Sequence, residues 1–292
     1  MIVGRLAGYI LANQYKAIFV TAFFGAMSLF LLPLSFFSGA ALALVVLRKG
    51  FGQAFQVLSV SALLIGASWI LSPAKPGFPF PVVFALWAPV LVGAWWLRFT
   101  TSQAKTLLAV AVVCALFVVG MYIAVGDPLA WWNEWRQTAM PASANPAGAQ
   151  LDLDDENRLF NGFMAMGLGF GAMFTLCFAR WMQATLFNPG GFGVEFMAIR
   201  LDRMVLLWIL IILIASGIFN IQMMTDLLMV AIMVYDFPGI ALLYAIVVRK
   251  RLNPNWMVVP FLGVYFLPPI MIPALAILGV ADSFLDFRRR IK

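Results

Sequence analysis

Two aspartates, Asp226 and Asp236, stand in otherwise apolar sequence. A carboxyl placed inside a bilayer costs about 3 kcal/mol on insertion scales, so its default reading is a functional group with a partner to be named. Asp236 lies in YDFPG, where Pro238 and Gly239 predict an interrupted helix that frees backbone carbonyls beside the carboxylate. An acidic group beside a broken helix at mid-depth is a way to hold a cation or a small solute. Asp226 and Asn220 complete the candidate ligand set, with Gln222 as a further donor. No Lys or Arg falls within the apolar runs to neutralise Asp236. Its carboxyl is therefore protonated, ion-binding, open to a water-filled cavity, or structural and bonded to a neighbouring helix. Asp226, nearer the boundary of its run, can equally reach headgroup water.

A second constellation is NPGGFGVEFMAIRLDR, residues 188–203. Asn188 to Gly191 read as a turn, whose exposed amides are a weaker candidate for anion binding. From Val194 onward, Val194, Met197, Ala198 and Leu201 recur at helical spacing, with Glu195 and Asp202 two turns apart on another face. That pattern predicts a surface-lying helix whose Glu195, Arg200, Asp202 and Arg203 suit docking to a protein partner.

Catalytic patterns are weaker. Tyr235-Asp236 and the GVAD of residues 279–282 loosely match the paired carboxyls of intramembrane aspartyl proteases, but Ala281 replaces the second glycine and Asp282 adjoins a basic tail. The chain has no histidine, which removes histidine-ligated metals and imidazole bases. Cys114 and Cys177 are isolated and lack metal or redox spacing. No phosphate loop or nucleophile elbow is present. The expectation is a protein that is not an enzyme and needs no cofactor and no metal.

The elements that must position these groups follow from composition. Of 292 residues, 64% are hydrophobic and 11% charged. Repeated long apolar runs predict an all-α, polytopic transmembrane bundle, since lipid offers the backbone no hydrogen-bond partners and the in-out alternation of a barrel is missing. The net charge of +7 comes from basic residues scattered through short loops, as orientation signals are, so the bilayer and not nucleic acid is the expected partner. The apolar stretch beginning at Ala17 runs on to Leu47 with no polar mature region behind it, which argues against a cleavable signal peptide.

Residues 126–158 form the long polar interval and divide the single membrane domain into helices of 1–125 and helices of 159–292. Asp127, Glu134, Asp152, Asp154, Asp155 and Glu156 outnumber Arg136 and Arg158 there, so the interval is expected outside, with both termini cytoplasmic. Asp127 can cap a helix beginning at Pro128, whose Trp131, Trp132 and Trp135 would lay it flat on the outer leaflet as an anchor, or over a ligand as a lid. A stiff connector is expected across the prolines 73, 76, 79 and 81. In the next span Gly167 and Gly171 form a small-xxx-small pair for close helix packing.

Charge also constrains the ends of the chain. A single pass through Trp256–Val280 would place Arg288, Arg289, Arg290 and Lys292 outside, and a single pass through Ala17–Leu47 would do the same to Arg5 and Lys16. Pro33 in the first run, and Pro260, Pro268, Pro269 and Pro273 in the last, predict broken hairpins near both ends and about eight to ten helical segments in all.

Three stretches, LRKG at 47–50, NPGGFGVEFMAIRLDR at 188–203 and GVADSFLDFRRR at 279–290, resemble the YybS-like family of bacterial inner-membrane proteins, a domain without an established activity. The resemblance implies a bacterial inner membrane and, by fold-level analogy only, a helix pattern like that of the substrate-binding components of energy-coupling-factor vitamin transporters. Together these readings predict a non-catalytic small-solute or ion-binding transport component working with a cytoplasmic-side partner. The alternative is a membrane scaffold or assembly protein with no transported ligand.

Overall fold

In a solvent without hydrogen-bonding partners each backbone N–H and C=O must be satisfied within its own segment, and a helix does this locally. The computed structural model describes residues 2–72, 80–139, 153–219, 221–285 and 287–290, and its regular elements are all helical. In order they are α1 (Ile2–Ala12), α2 (Gln14–Met27), α3 (Leu34–Lys49), α4 (Phe51–Leu71), α5 (Val82–Thr100), α6 (Gln103–Val125) and α7 (Pro128–Ala139). There follow α8 (Leu153–Phe187), α9 (Gly191–Met197), α10 (Arg203–Phe219), α11 (Gln222–Arg249), α12 (Val258–Phe266), α13 (Pro268–Leu285) and α14 (Phe287–Arg290), with a 3-10 turn at Pro254–Met257. These are more segments than the eight to ten expected, because short helices such as α1, α9 and α14 add to the spans. Among the described residues six helices, α4, α5, α6, α8, α11 and α13, are long and apolar enough to cross a membrane. The stiff connector expected after Ser72 lies almost wholly outside the described residues, as does the whole linker between α7 and α8.

Broken hairpins occur where the prolines placed them. The chain turns between Met27 and Leu34, and α3 runs back along α2 so that the Ser38 hydroxyl donates to the Thr21 carbonyl at 2.8 Å. Near the other end Leu267, held before Pro268, stops α12, and α13 returns. Contacts of Asp236 with Ala276, Gly239 with Gly279, and Arg249 with the Arg288 carbonyl advance together along both chains, so α13 lies parallel to α11. The α12–α13 hairpin therefore enters and leaves at the end of the bundle where α11 finishes.

Basic residues gather at that end. Arg98 donates to the Val46 carbonyl at 2.8 Å, Arg48 stacks 3.6 Å from the Phe187 ring, and Arg200 donates to the Ser283 carbonyl at 3.2 Å. The opposite end carries α7. Between the two, α3 is buried on all sides from Ser38 to Leu47, and α11 is the most buried of the six candidate spans. Leu63 and Ile70 of α4, Leu116 of α6 and Trp208 and Ile218 of α10 face outward, an apolar perimeter suited to lipid.

Two expectations about helix packing are corrected. A Cβ added at Gly167 would meet nothing within 4 Å, so Gly167 and Gly171 do not form a helix-packing pair. The close approach of α8 to another helix's backbone is at Gly162 instead, where an added Cβ would lie 2.9 Å from the Cα of Asp226, while Gly171 packs on the side chains of Phe36 and Leu86. Nor does Pro238 break α11, which continues from Gln222 to Arg249. The proline removes one backbone donor while neighbouring helices hold the flanks in line.

Candidate functional site

Asp236 sits midway along α11 and is fully buried. Among the described residues neither carboxyl oxygen has a hydrogen-bond partner within bonding geometry, and the polar group facing them is the backbone amide of Ala276 on α13. Glycines on both helices let the two backbones meet closely around it. A Cβ at Gly239 would stand 2.1 Å from the Leu275 carbonyl oxygen, and one at Gly279 would stand 2.1 Å from the Tyr235 carbonyl oxygen. Gly239 thus serves backbone contact between α11 and α13, and not the helix break expected of it. Because Pro238 has no N–H, the Val234 carbonyl lacks its helical donor and is a second acceptor within a turn of Asp236.

Asp226 lies in the first turns of the same helix in a different environment. It too is fully buried, which overturns the reading that it reaches headgroup water. One carboxyl oxygen accepts from the Tyr122 hydroxyl of α6 and from the Asn161 side-chain amide of α8, both at 2.9 Å. The Asn161 carbonyl oxygen in turn accepts from the indole of Trp132 at 3.2 Å, so the network runs from α11 through α8 to α7. Asp127 caps α7 as expected, its carboxylate accepting from Leu129 and Ala130 at 3.0 and 3.2 Å. Trp132 is not an interfacial anchor, however: it is buried against Phe160 and Trp135.

Asp226 and Asp236 do not share one polar centre. Asp226 faces α6 and α8, Asp236 faces α13, and ten residues at 1.5 Å each separate them by about 15 Å along the helix. Asn220, the third expected ligand, lies outside the described residues. Gln222 donates to the Arg158 carbonyl.

The expected docking helix is also rearranged. Helix α9 ends at Met197, residues 198–202 are non-helical, and Ile199 and Leu201 are buried. Arg180 of α8 holds Glu195 through two bonds of 2.8 and 2.6 Å. Asp202 caps α10 by accepting from Met204 at 3.2 Å, while the Arg203 guanidinium lies 5.8 Å from the Phe284 ring. The cause is competition: a helix through 198–202 would have placed Ile199 and Arg200 away from the contacts they now make with the C-terminal segment.

That segment carries an ion pair the sequence reading missed. Asp282, expected beside the tail and not at depth, is fully buried, and Arg288 donates to it at 2.7 Å. The same guanidinium donates to the carbonyls of Met197 and of Ile199, the latter at 2.7 Å. Burial holds Arg288 below the usual arginine range, and the Asp282 carboxylate opposes that pull. Engaged in this way, Asp282 is not the partner of Asp236 in a protease-like dyad. Asn161 was legible as a polar residue inside a glycine-rich span, but nothing in sequence spacing links Arg288 to residues 197–199.

Fold and site together define a multi-pass helical membrane protein with two buried carboxyls in its most buried span. No protein-family model, no curated protein and no solved structure matches the chain.

Proposed function

We propose that the protein is a non-catalytic component of a membrane transport system, in which Asp236 binds a proton or a small cation. The observation that carries this reading is the Asp236 carboxyl itself, fully buried with both oxygens unpartnered among the described residues, at the seam between a complete span and a hairpin that returns to its own side. A purely structural polar group normally has its hydrogen bonds made, because an unsatisfied one costs about 1–3 kcal/mol. Proton or cation uptake at this seam gives that cost a use and couples occupancy to how closely α13 rests on α11.

Under the charge rule, the arginines clustered at the basic end support a reading in which that end is cytoplasmic, α7 lies outside and the membrane is a bacterial inner membrane. A protein partner at the basic end would meet the exposed Asp202 and Arg203 more readily than Glu195 and Arg200, which are committed to internal contacts.

The test is infrared difference spectroscopy of the protein in lipid nanodiscs, stepping pH and then sodium concentration. A carboxyl band that responds to either and disappears in Asp236→Asn supports the reading. If no such band depends on Asp236, the aspartate is structural and the scaffold alternative takes its place.

A further inference from the structure

At the α7 end the bundle contains a second feature, independent of Asp236. A cavity of about 430 Å³ lies between the first turns of α3 and α5, the last turns of α6 and the first half of α8, with Trp131 and Trp132 of α7 over it. Its wall is carbon. The Ser35 hydroxyl turns away to donate to the Leu32 carbonyl at 2.7 Å, and the Trp132 indole is bonded to Asn161. A hydrated solute would lose its water there and gain nothing in exchange. A long apolar chain loses nothing, and apolar cavities of this kind take up apolar guests.

The rim says where such a chain comes from. Leu32, Phe36 and Phe80, which line the cavity, are also exposed, and Phe30 and Leu31 extend the same outward apolar surface. Among the described residues this approach is from the hydrocarbon side, so a chain already dissolved in the bilayer reaches the cavity without crossing water. We infer that the cavity between α3, α5, α6 and α8 binds the acyl chain of a lipid from the leaflet at the α7 end, with α7 as its roof.

Gly167 makes the inference testable. It lines the cavity, and its absent side chain points into space with nothing within 4 Å, so a larger residue fills the cavity and leaves the helix contacts intact. The experiment uses the full chain in phospholipid nanodiscs containing palmitic acid that bears a mid-chain diazirine. After irradiation, peptide mass spectrometry maps the label. The expected result is labelling concentrated on Met121, Met164 and their neighbours, reduced at least tenfold in Gly167→Leu while labelling of the outward residues of α4 and α10 persists. Labelling confined to those outward residues in the wild-type protein, a map that needs no variant to fold, shows annular lipid only and overturns the inference. Unchanged cavity labelling in a folded Gly167→Leu also overturns it.

Discussion

Asp226 and Asp236 are the same residue in the same buried helix, yet one is the centre of a hydrogen-bonded network and the other, among the described residues, has no partner for either oxygen. The difference comes from what the neighbouring helices present. Next to Asp226, Gly162 lets α8 approach closely and carries Asn161 into reach, while α6 supplies Tyr122. Next to Asp236, Gly239 and Gly279 bring two backbones so near that no side chain intervenes, and α13 offers only peptide groups. Close packing in one place recruits polar partners and in the other excludes them. The lesson is that helix position alone does not assign a role to an intramembrane carboxyl.

Asp282, a third buried carboxyl with a full ionic partner, gives the upper limit of what pairing contributes. Arg288→Met should cost about 3–5 kcal/mol, the usual penalty for stripping a buried charge of its partner. Unfolding midpoints in mixed micelles would measure it, and Asp282→Leu in the same chain should recover most of the loss. If the single variant is neutral, the pair is not buried as described.

The Asp236 seam is tested next by Gly279→Val. Its branched side chain must displace the Tyr235 carbonyl, and overpacking of that kind should lower stability by about 3 kcal/mol or more. A midpoint within error of the wild type would mean that α13 stands off from α11. For the Asp226 network, Asn161→Leu removes a donor to the carboxylate and an acceptor for Trp132, with an expected loss of about 1–3 kcal/mol. Tryptophan emission should shift in the same variant as Trp132 is released.

Asp236 should give the opposite sign. Replacing it by leucine removes an unsatisfied group, so stability should hold or rise by about 1 kcal/mol while the ion-dependent infrared response is lost. A large destabilisation would show that Asp236 has a structural partner, and the contrast between the two aspartates would fail. The smallest effect is expected at Gly167→Ala, a gain below about 1 kcal/mol from helix propensity in open space. Thermal midpoints of the pair Gly167→Ala and Gly162→Ala would separate a cavity glycine from a packing glycine.

The sequence by itself determined the membrane-spanning helical class, the break near Pro33, the returning C-terminal hairpin, the Asp127 cap and the presence of costly carboxyls. These follow from local chemistry: apolar length, missing proline donors and the need of a helix terminus for acceptors. Tertiary structure alone decided that Asp226 is bonded and Asp236 is not, that Gly162 and not Gly167 is the contact glycine, and that Trp132 points inward. It also decided that Arg288 closes over residues 197–199 and displaces the helix expected there. Each of these depends on which backbone lies within a few ångströms of which, a relation between residues far apart in the chain that hydrophobic periodicity does not encode.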